Sequence, residues 1–157
     1  MKRREIIGGL AATIVLPTVA ARAQQPARTV RIGFLITAPL GSPEFRATVD
    51  PFTQALGELG YVEGRNLVIE YKSADGKQER FPSLAADLVR IDVDLILAGS
   101  TPHARAAQQA TRTIPIVVAS MGDPVGDGLV TSLSRPGGNI TGLTSLGPTH
   151  LQAPGIA

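Results

Sequence analysis

An uninterrupted apolar run extends from Ile114 to Ala119 and ends abruptly in small, polar and turn-forming residues. Because its members do not alternate with polar side chains, the run is typical of a strand that is covered on both faces in a parallel sheet. Ligands of such sheets collect beyond the carboxyl ends of the strands. Ser120 and Asp123 follow the run directly, so we expect them to lie at an edge of the sheet where a ligand binds.

Strand and helix patterns alternate along the rest of the chain, with short links between them. Such alternation predicts an α/β fold, a parallel-sheet three-layer arrangement with helices on both faces. The second strand ends in alternation, which indicates a less buried place in the sheet. Besides the run described above, the predicted strands span residues 30–36, 67–71, 93–98 and 140–143, and the predicted helices lie around residues 45–59, 81–89, 102–110 and 129–133.

The first predicted helix contains a proline. Apolar residues recur at spacings of four and three from Phe45 to Leu59, which forms one face of a helix that Gly60 would end. Pro51 lies inside this pattern, and an internal proline removes a hydrogen bond and clashes with the preceding turn. Either the helix kinks at Pro51 or a shorter helix begins there with Asp50 as its cap, and we favour the shorter helix.

Residues 1–23 have the pattern of a secretory signal peptide. Basic residues at positions 2–4 precede an apolar stretch from Ile6 to Ala20, and Ala21-Arg22-Ala23 fits the small-x-small rule for cleavage. The Arg3-Arg4 pair is compatible with twin-arginine export as well as with the Sec route. We therefore expect a periplasmic protein, and one that is not a lipoprotein, since the chain has no cysteine to carry the lipid.

The charge balance excludes one class of partner. Four of the 15 basic side chains but only one of the 13 acidic ones lie in residues 1–23, so the remaining chain is close to neutral. A nearly neutral domain gives no reason to expect nucleic acid as a partner. The lack of cysteine also excludes disulfides, thiolate metal sites and a catalytic thiol.

Two loops that follow predicted strands place a hydroxyl residue before proline: Ser42 before Pro43, and Thr101 before Pro102. A helix that begins with a capping hydroxyl and then proline directs free backbone amides outward, where they attract an anion such as a carboxylate. The simpler interpretation is that both hydroxyls only cap their helices.

Asp123 has two interpretations as well. Its carboxylate could accept hydrogen bonds from the ammonium or hydroxyl group of a ligand, or it could cap the turn that follows it. His103 and His150 are too few and too isolated for a metal site, and we expect His103 at the surface. We expect neither a metal nor a cofactor.

Catalytic motifs are missing from the chain. The loop after the first strand lacks the GxGxxG pattern, and the segment from Gly142 to Gly147 is one residue too long for a nucleophile elbow. The lack of a defensible catalytic set favours binding over catalysis. The alternative is an exported α/β hydrolase-like enzyme, which would draw its nucleophile, base and orienting acid from Ser120 or Ser145, His103 or His150, and Asp123.

Several segments carry a resemblance to a known family. After an Arg-Arg-Glu start to an Ala-rich signal come IGFL at 32–35, LGYVEGRN at 59–66, LAADLV at 84–89, IPIV at 114–117, GDPV at 122–125 and LSRPGGNITG at 133–142. Together these segments resemble the substrate-binding proteins of ABC transporters, in the branch similar to tryptophan- and tyrosine-binding proteins. The resemblance extends from residue 1 to about Leu146.

The resemblance implies a type I periplasmic binding fold, in which two α/β lobes joined by a hinge close over a solute. Family members are not enzymes, and they deliver their solute to an ABC permease in the inner membrane. The solute is small, and an amino acid is the expectation at the level of the family. The positions that would line the cleft are Thr37, Ala38, Ser100, Thr101, Ser120, Asp123 and Thr144.

On this resemblance, residues 28–146 form the N-terminal lobe and residues 147–157 depart from the family pattern. We therefore expect a chain that is truncated before the second lobe, with impaired binding and an exposed interlobe surface that favours self-association. The same fold serves bacterial repressors as an effector domain, but those begin with DNA-binding helices where this chain has a secretion signal.

Overall fold

The computed structural model describes residues 28–145 as a five-stranded parallel sheet covered by helices. The α/β fold class and the three-layer arrangement are thereby confirmed. Along the chain the elements are β1 (Val30–Ile36), α1 (Pro43–Glu58), β2 (Leu67–Ser73), a 3-10 turn (Gln78–Arg80), α2 (Phe81–Arg90), β3 (Leu95–Ala98), α3 (Thr101–Ala110), β4 (Ile116–Met121) and β5 (Ile140–Thr144).

The strands lie in the order β2-β1-β3-β4-β5, and every neighbouring pair is parallel. The first, third and fourth apolar segments of the sequence are therefore side by side and point the same way, within the parallel sheet that was predicted. β2 lies at one edge of the sheet, in agreement with its alternating sequence. All five carboxyl ends meet along one edge of the sheet, which we call the carboxyl edge.

Helices pack on both faces of the sheet. On one face, the partly buried Phe45, Phe52 and Leu56 of α1 pack against buried residues of β1, β2 and β3. On the other face, α2 and α3 cover the sheet with leucine and small alanine side chains. Gly33 of β1 permits the close approach of α2, because a Cβ atom at this position would lie 2.7 Å from both terminal carbons of the buried Leu88.

The prediction of a shorter helix beginning at Pro51 is wrong. α1 runs without interruption from Pro43 to Glu58 with Pro51 inside it. Its apolar face contacts the sheet on both sides of the proline, through Val49 before it and Phe52 after it. This burial outweighs the cost of an internal proline, which is about 3 kcal/mol. The helix ends at Glu58, one residue before the predicted end of its apolar face. Leu59 follows the helix and is 74% exposed.

The helix predicted around residues 129–133 does not form. The segment is a series of turns in which the backbone amides of Leu129 and Val130 both donate to the carbonyl of Pro124, at 2.9 and 3.1 Å. The Leu129 and Val130 side chains are still buried, so their apolar character reflects a packed loop. No helix between residues 28 and 145 is long and apolar enough to cross a membrane.

Candidate functional site

The strand order creates a crevice between β1 and β3. These strands are hydrogen-bonded neighbours, but the chain leaves β1 into α1 on one face of the sheet and leaves β3 into α3 on the other. The two connections diverge at the carboxyl edge and leave an opening between them. Such a topological switch point is where open α/β sheets bind their ligands.

An open cavity of about 280 Å³ occupies this switch point. Its floor is apolar and formed by the end of β1, while its polar groups come from the loops that follow β1 and β3 and from the first turns of α1 and α3. A cavity with an apolar floor and a few converging polar groups is the usual form of a small-molecule site. The polar side chains that line it are Thr37, Glu44, Thr48, Ser100 and His103.

The polar centre of the cavity is a cluster of three side chains. The His103 ring lies between two hydroxyl groups, with Nε2 3.0 Å from Thr37 Oγ1 and Nδ1 2.7 Å from Ser100 Oγ. Thr37 and Ser100 were both predicted to line the cleft, and the structure brings them together through His103, which the sequence indicated only as a base in the hydrolase alternative.

The prediction that His103 lies at the surface is wrong, because the residue is only 7% exposed. Its ring packs against the Phe81 ring at a centroid distance of 4.2 Å, so α2 covers it. Burial lowers the pKa of His103 to about 4, an effect that the Ser100 backbone partly opposes. The ring is therefore neutral at pH 7. A histidine three residues after a serine at a strand end was the available signal in the sequence.

The loop after β1 is held in place by hydrogen bonds from the end of β2 and the loop that follows it. The backbone amide of Gly76 donates to the Thr37 carbonyl at 2.8 Å, and the Ser73 hydroxyl donates to the Ala38 carbonyl at 2.8 Å. Ser73 is buried and also contacts Asp75, whose pKa the Arg80 side chain lowers. Thr37 and Ala38 thus present their side chains to the cavity from a loop whose backbone is fixed.

The two predicted helix caps have different outcomes. Ser42 caps α1 as expected, since its hydroxyl accepts from the Phe45 amide at 3.1 Å. At α3 the cap position belongs to Ser100, while Thr101 is already the first helical residue and Pro102 the second. The Ser100 side chain makes no capping hydrogen bond because it faces the His103 ring instead. The first amides of α3 therefore have no side-chain cap.

Ser120 and Asp123 also lie toward the carboxyl edge, where each makes a hydrogen-bond contact within the described chain. Asp123 Oδ1 accepts from the Gly126 amide at 2.8 Å, which confirms the interpretation as a turn cap. Ser120 is an exposed residue of β4, and its hydroxyl lies 3.0 Å from that of Ser145. Thr144 ends β5 and lines a second cavity of about 170 Å³ together with residues of the turns before β5.

The arrangement needed for a hydrolase is not formed among the described residues. Both ring nitrogens of His103 face Thr37 and Ser100, whereas Ser120 pairs with Ser145 and Asp123 with a backbone amide. His150 lies outside the described residues. Within residues 28–145 there is also no group of three or more His, Cys, Asp or Glu side chains that could hold a metal ion.

The sequence of this chain matches a family model and a known relative. Residues 34–152 match the family model described as ABC transporter substrate binding protein. A tyrosine-binding protein from Clostridioides difficile (strain R20291) is 44% identical over 91 residues, which cover 58% of this chain and 26% of that protein.

Solved structures agree with this match. A ligand-free, open substrate binding protein with adhesive properties from Clostridium difficile is 35% identical, with a TM-score of 0.68, over 75% of this chain and 39% of that one. A domain from Streptococcus pneumonia in complex with L-Trp is 29% identical, with a TM-score of 0.65, over 74% and 38%. The chain thus spans well under half the length of these relatives. Since the family match covers most of the sequence, this chain belongs to the ABC transporter substrate-binding protein family.

Proposed function

We propose that this chain captures a small solute, an amino acid, at its carboxyl edge and serves an ABC import system. The observation that carries the proposal is the cluster of Thr37, His103 and Ser100 in an open cavity at the switch point. Hydroxyl groups on fixed loops at such a place can bind the polar end of a solute without any catalytic step.

The Ser100 side of the cavity suits an anionic group. The first amides of α3 lack a side-chain cap, and a helix N-terminus carries a partial positive charge. Ser100 adds a hydroxyl next to these amides, and Thr101 follows it in the first turn. A carboxylate bound here would accept several hydrogen bonds from groups that the fold already holds in position.

The other predicted residues have supporting roles in this proposal. Ala38 forms part of the wall next to Thr37. Ser120, Asp123 and Thr144 would contact the solute, or the surface that closes over it, along the same edge. Because the cavity is open, a second surface must cover the solute for it to be fully buried, and closure between two lobes provides such a surface in this kind of fold.

The relatives suggest which amino acid to test. One is a tyrosine-binding protein and another was solved with L-Trp. An aromatic side chain could rest on the apolar floor near Phe34 while its polar end contacts the cluster. We further propose export to the periplasm through residues 1–23 and delivery of the solute to an ABC permease in the inner membrane.

L-Tryptophan provides a direct binding assay because the chain contains no tryptophan. Fluorescence excited where tyrosine does not absorb then comes from the solute alone, and its anisotropy should rise and saturate as the chain is added. L-Tyrosine is tested by competition against bound L-tryptophan. Saturable binding of either amino acid supports the proposal, and the absence of binding by both contradicts it.

Two variants locate the binding on the chain. Ser100→Ala and Thr37→Val each remove one hydroxyl of the cluster and should weaken binding about 10-fold, as expected for a lost hydrogen bond to a charged group. Ser83→Ala is the matched control, since it removes an exposed hydroxyl of α2 that contacts only the Arg80 carbonyl. Equal affinity in all three variants would show that the solute binds elsewhere.

A further inference from the structure

The His103 ring imposes opposite roles on the two hydroxyl groups that contact it. A neutral imidazole has one N–H donor and one acceptor nitrogen. Its donor nitrogen binds a lone pair of one hydroxyl oxygen and leaves that hydroxyl's own proton free. Its acceptor nitrogen uses the proton of the other hydroxyl and leaves only lone pairs on that oxygen. The cavity therefore presents one donor and one acceptor, whichever nitrogen carries the proton.

An anion bound on the Ser100 side favours a proton on Nδ1, the nitrogen that faces Ser100. The first amides of α3 lie on this side without a side-chain cap, so an anion bound there accepts the Ser100 proton, and the ring then donates to the Ser100 oxygen from Nδ1, 2.7 Å away. The Thr37 hydroxyl, on the other side, is free to rotate and donate to Nε2 at 3.0 Å. In this arrangement Ser100 keeps its proton for a ligand, and Thr37 offers lone pairs.

We propose that His103 is a positioning residue that sets the orientation of the solute, with the anionic group toward Ser100 and a donor group toward Thr37. This inference rests on the proposed function and deepens it. The ring is suited to the role because α2 and the two loops hold it fixed: Phe81 covers one side, and both ring nitrogens have hydroxyl partners.

The groups that face the His103 ring are uncharged, so its contacts with the two hydroxyl groups determine which nitrogen carries the proton. Glu44 of α1 is, besides His103, the ionisable side chain that lines the same cavity, and it is exposed to solvent. From β1 and β3 the ring meets Thr37 and Ser100, and from α2 it meets the uncharged Phe81. Both ring nitrogens of His103 therefore carry a proton only well below pH 7.

The first test uses nitrogen NMR of the ring in the full chain saturated with L-tryptophan at pH 7. The His103 signals are assigned by their loss in His103→Phe, which keeps a ring against Phe81. A single tautomer with the proton on Nδ1 supports the inference. Equal populations of the two tautomers, or a proton mainly on Nε2, would overturn it.

The second test measures ligand preference. The probes are L-tyrosine and 3-(4-hydroxyphenyl)propanoate, which has the same ring and carboxylate but no ammonium group. The wild-type chain should prefer L-tyrosine, because the lone pairs of Thr37 need a donor. In His103→Phe the Thr37 hydroxyl can rotate and donate, so this preference should fall about three- to ten-fold. If His103 only supported the fold, its substitution would weaken the binding of both probes equally and leave the ratio of their affinities unchanged.

Two further variants complete the design. His103→Asn retains an amide that can donate to Ser100, so it should recover part of the preference, whereas Ser83→Ala should retain all of it. An unchanged ratio in His103→Phe, with L-tyrosine still bound, would overturn the role of His103 and leave the proposed function intact. A wild-type chain that does not bind L-tyrosine or L-tryptophan would overturn both.

Discussion

Mild acid should destabilise the folded chain through His103. Its pKa is about 4 in the folded state and about 6.5 in an unfolded chain, so the unfolded state binds more protons below pH 6.5. Stability should therefore be unaffected above pH 6.5, fall as the pH drops toward 4, and level off below that value. Because one edge of the ring lines an open cavity where water screens charge, we expect a loss of about 1–2 kcal/mol at pH 5.

The assay is urea unfolding followed by circular dichroism, with the wild-type chain and His103→Phe compared at pH 7.5 and pH 5. The Phe variant keeps the contact with Phe81 but has no group that titrates. Every other ionisable group is present in both chains, so the difference between their pH dependences isolates His103. The variant should lose about 1–2 kcal/mol less stability than the wild type between the two pH values.

Equal pH dependence in the two chains would refute this reasoning. That result would mean that the ring has the same pKa in the folded and unfolded states. It would then be exposed to water when folded, and the cluster with Thr37 and Ser100 would not exist as described.

Three further predictions concern the scaffold. Gly33→Ala should lower the free energy of unfolding by about 1–3 kcal/mol, measured by urea unfolding, because its Cβ would press on Leu88; an unchanged value would contradict the packing described. Ser42→Ala should cost about 1 kcal/mol in the same assay, since the Phe45 amide loses its cap, whereas a neutral effect would mean that water replaces it. Burial raises the pKa of Tyr71 to about 12, so an alkaline absorbance titration should show a phenol ionising near pH 12 that is lost in Tyr71→Phe; if the transition lost in this variant lay near pH 10 instead, the burial would be contradicted.

The sheet was predictable from sequence because its signals are local. Runs of β-branched residues that end in Gly, Ser and Pro mark buried parallel strands and their loops, and the order of the elements restricts the topology. The helix boundary at Pro51 was not predictable from the residues around it. Its outcome depends on Val49 and Phe52 packing against a sheet formed by distant segments, and this packing overrides local propensity.

The candidate site was predictable only in part for the same reason. Strand ends identified Thr37 and Ser100, because parallel strands bring their carboxyl ends to one edge. His103 was missed because its burial depends on Phe81, 22 positions earlier in the chain and on another helix. Asp123 shows why a strand end alone does not assign a role, since its Oδ1 atom accepts from the Gly126 amide in its own turn and its place in the site stays a prediction.

Mapping amide chemical shifts in the full chain during a titration with L-tryptophan tests most directly whether the solute binds at the carboxyl edge. The largest shifts should occur at Thr37, Ala38, Gly99 and Ser100, and all four should saturate at the same solute concentration. Shifts centred instead on the opposite edge of the sheet, in the loops at residues 60–66 and 112–115, would contradict this prediction.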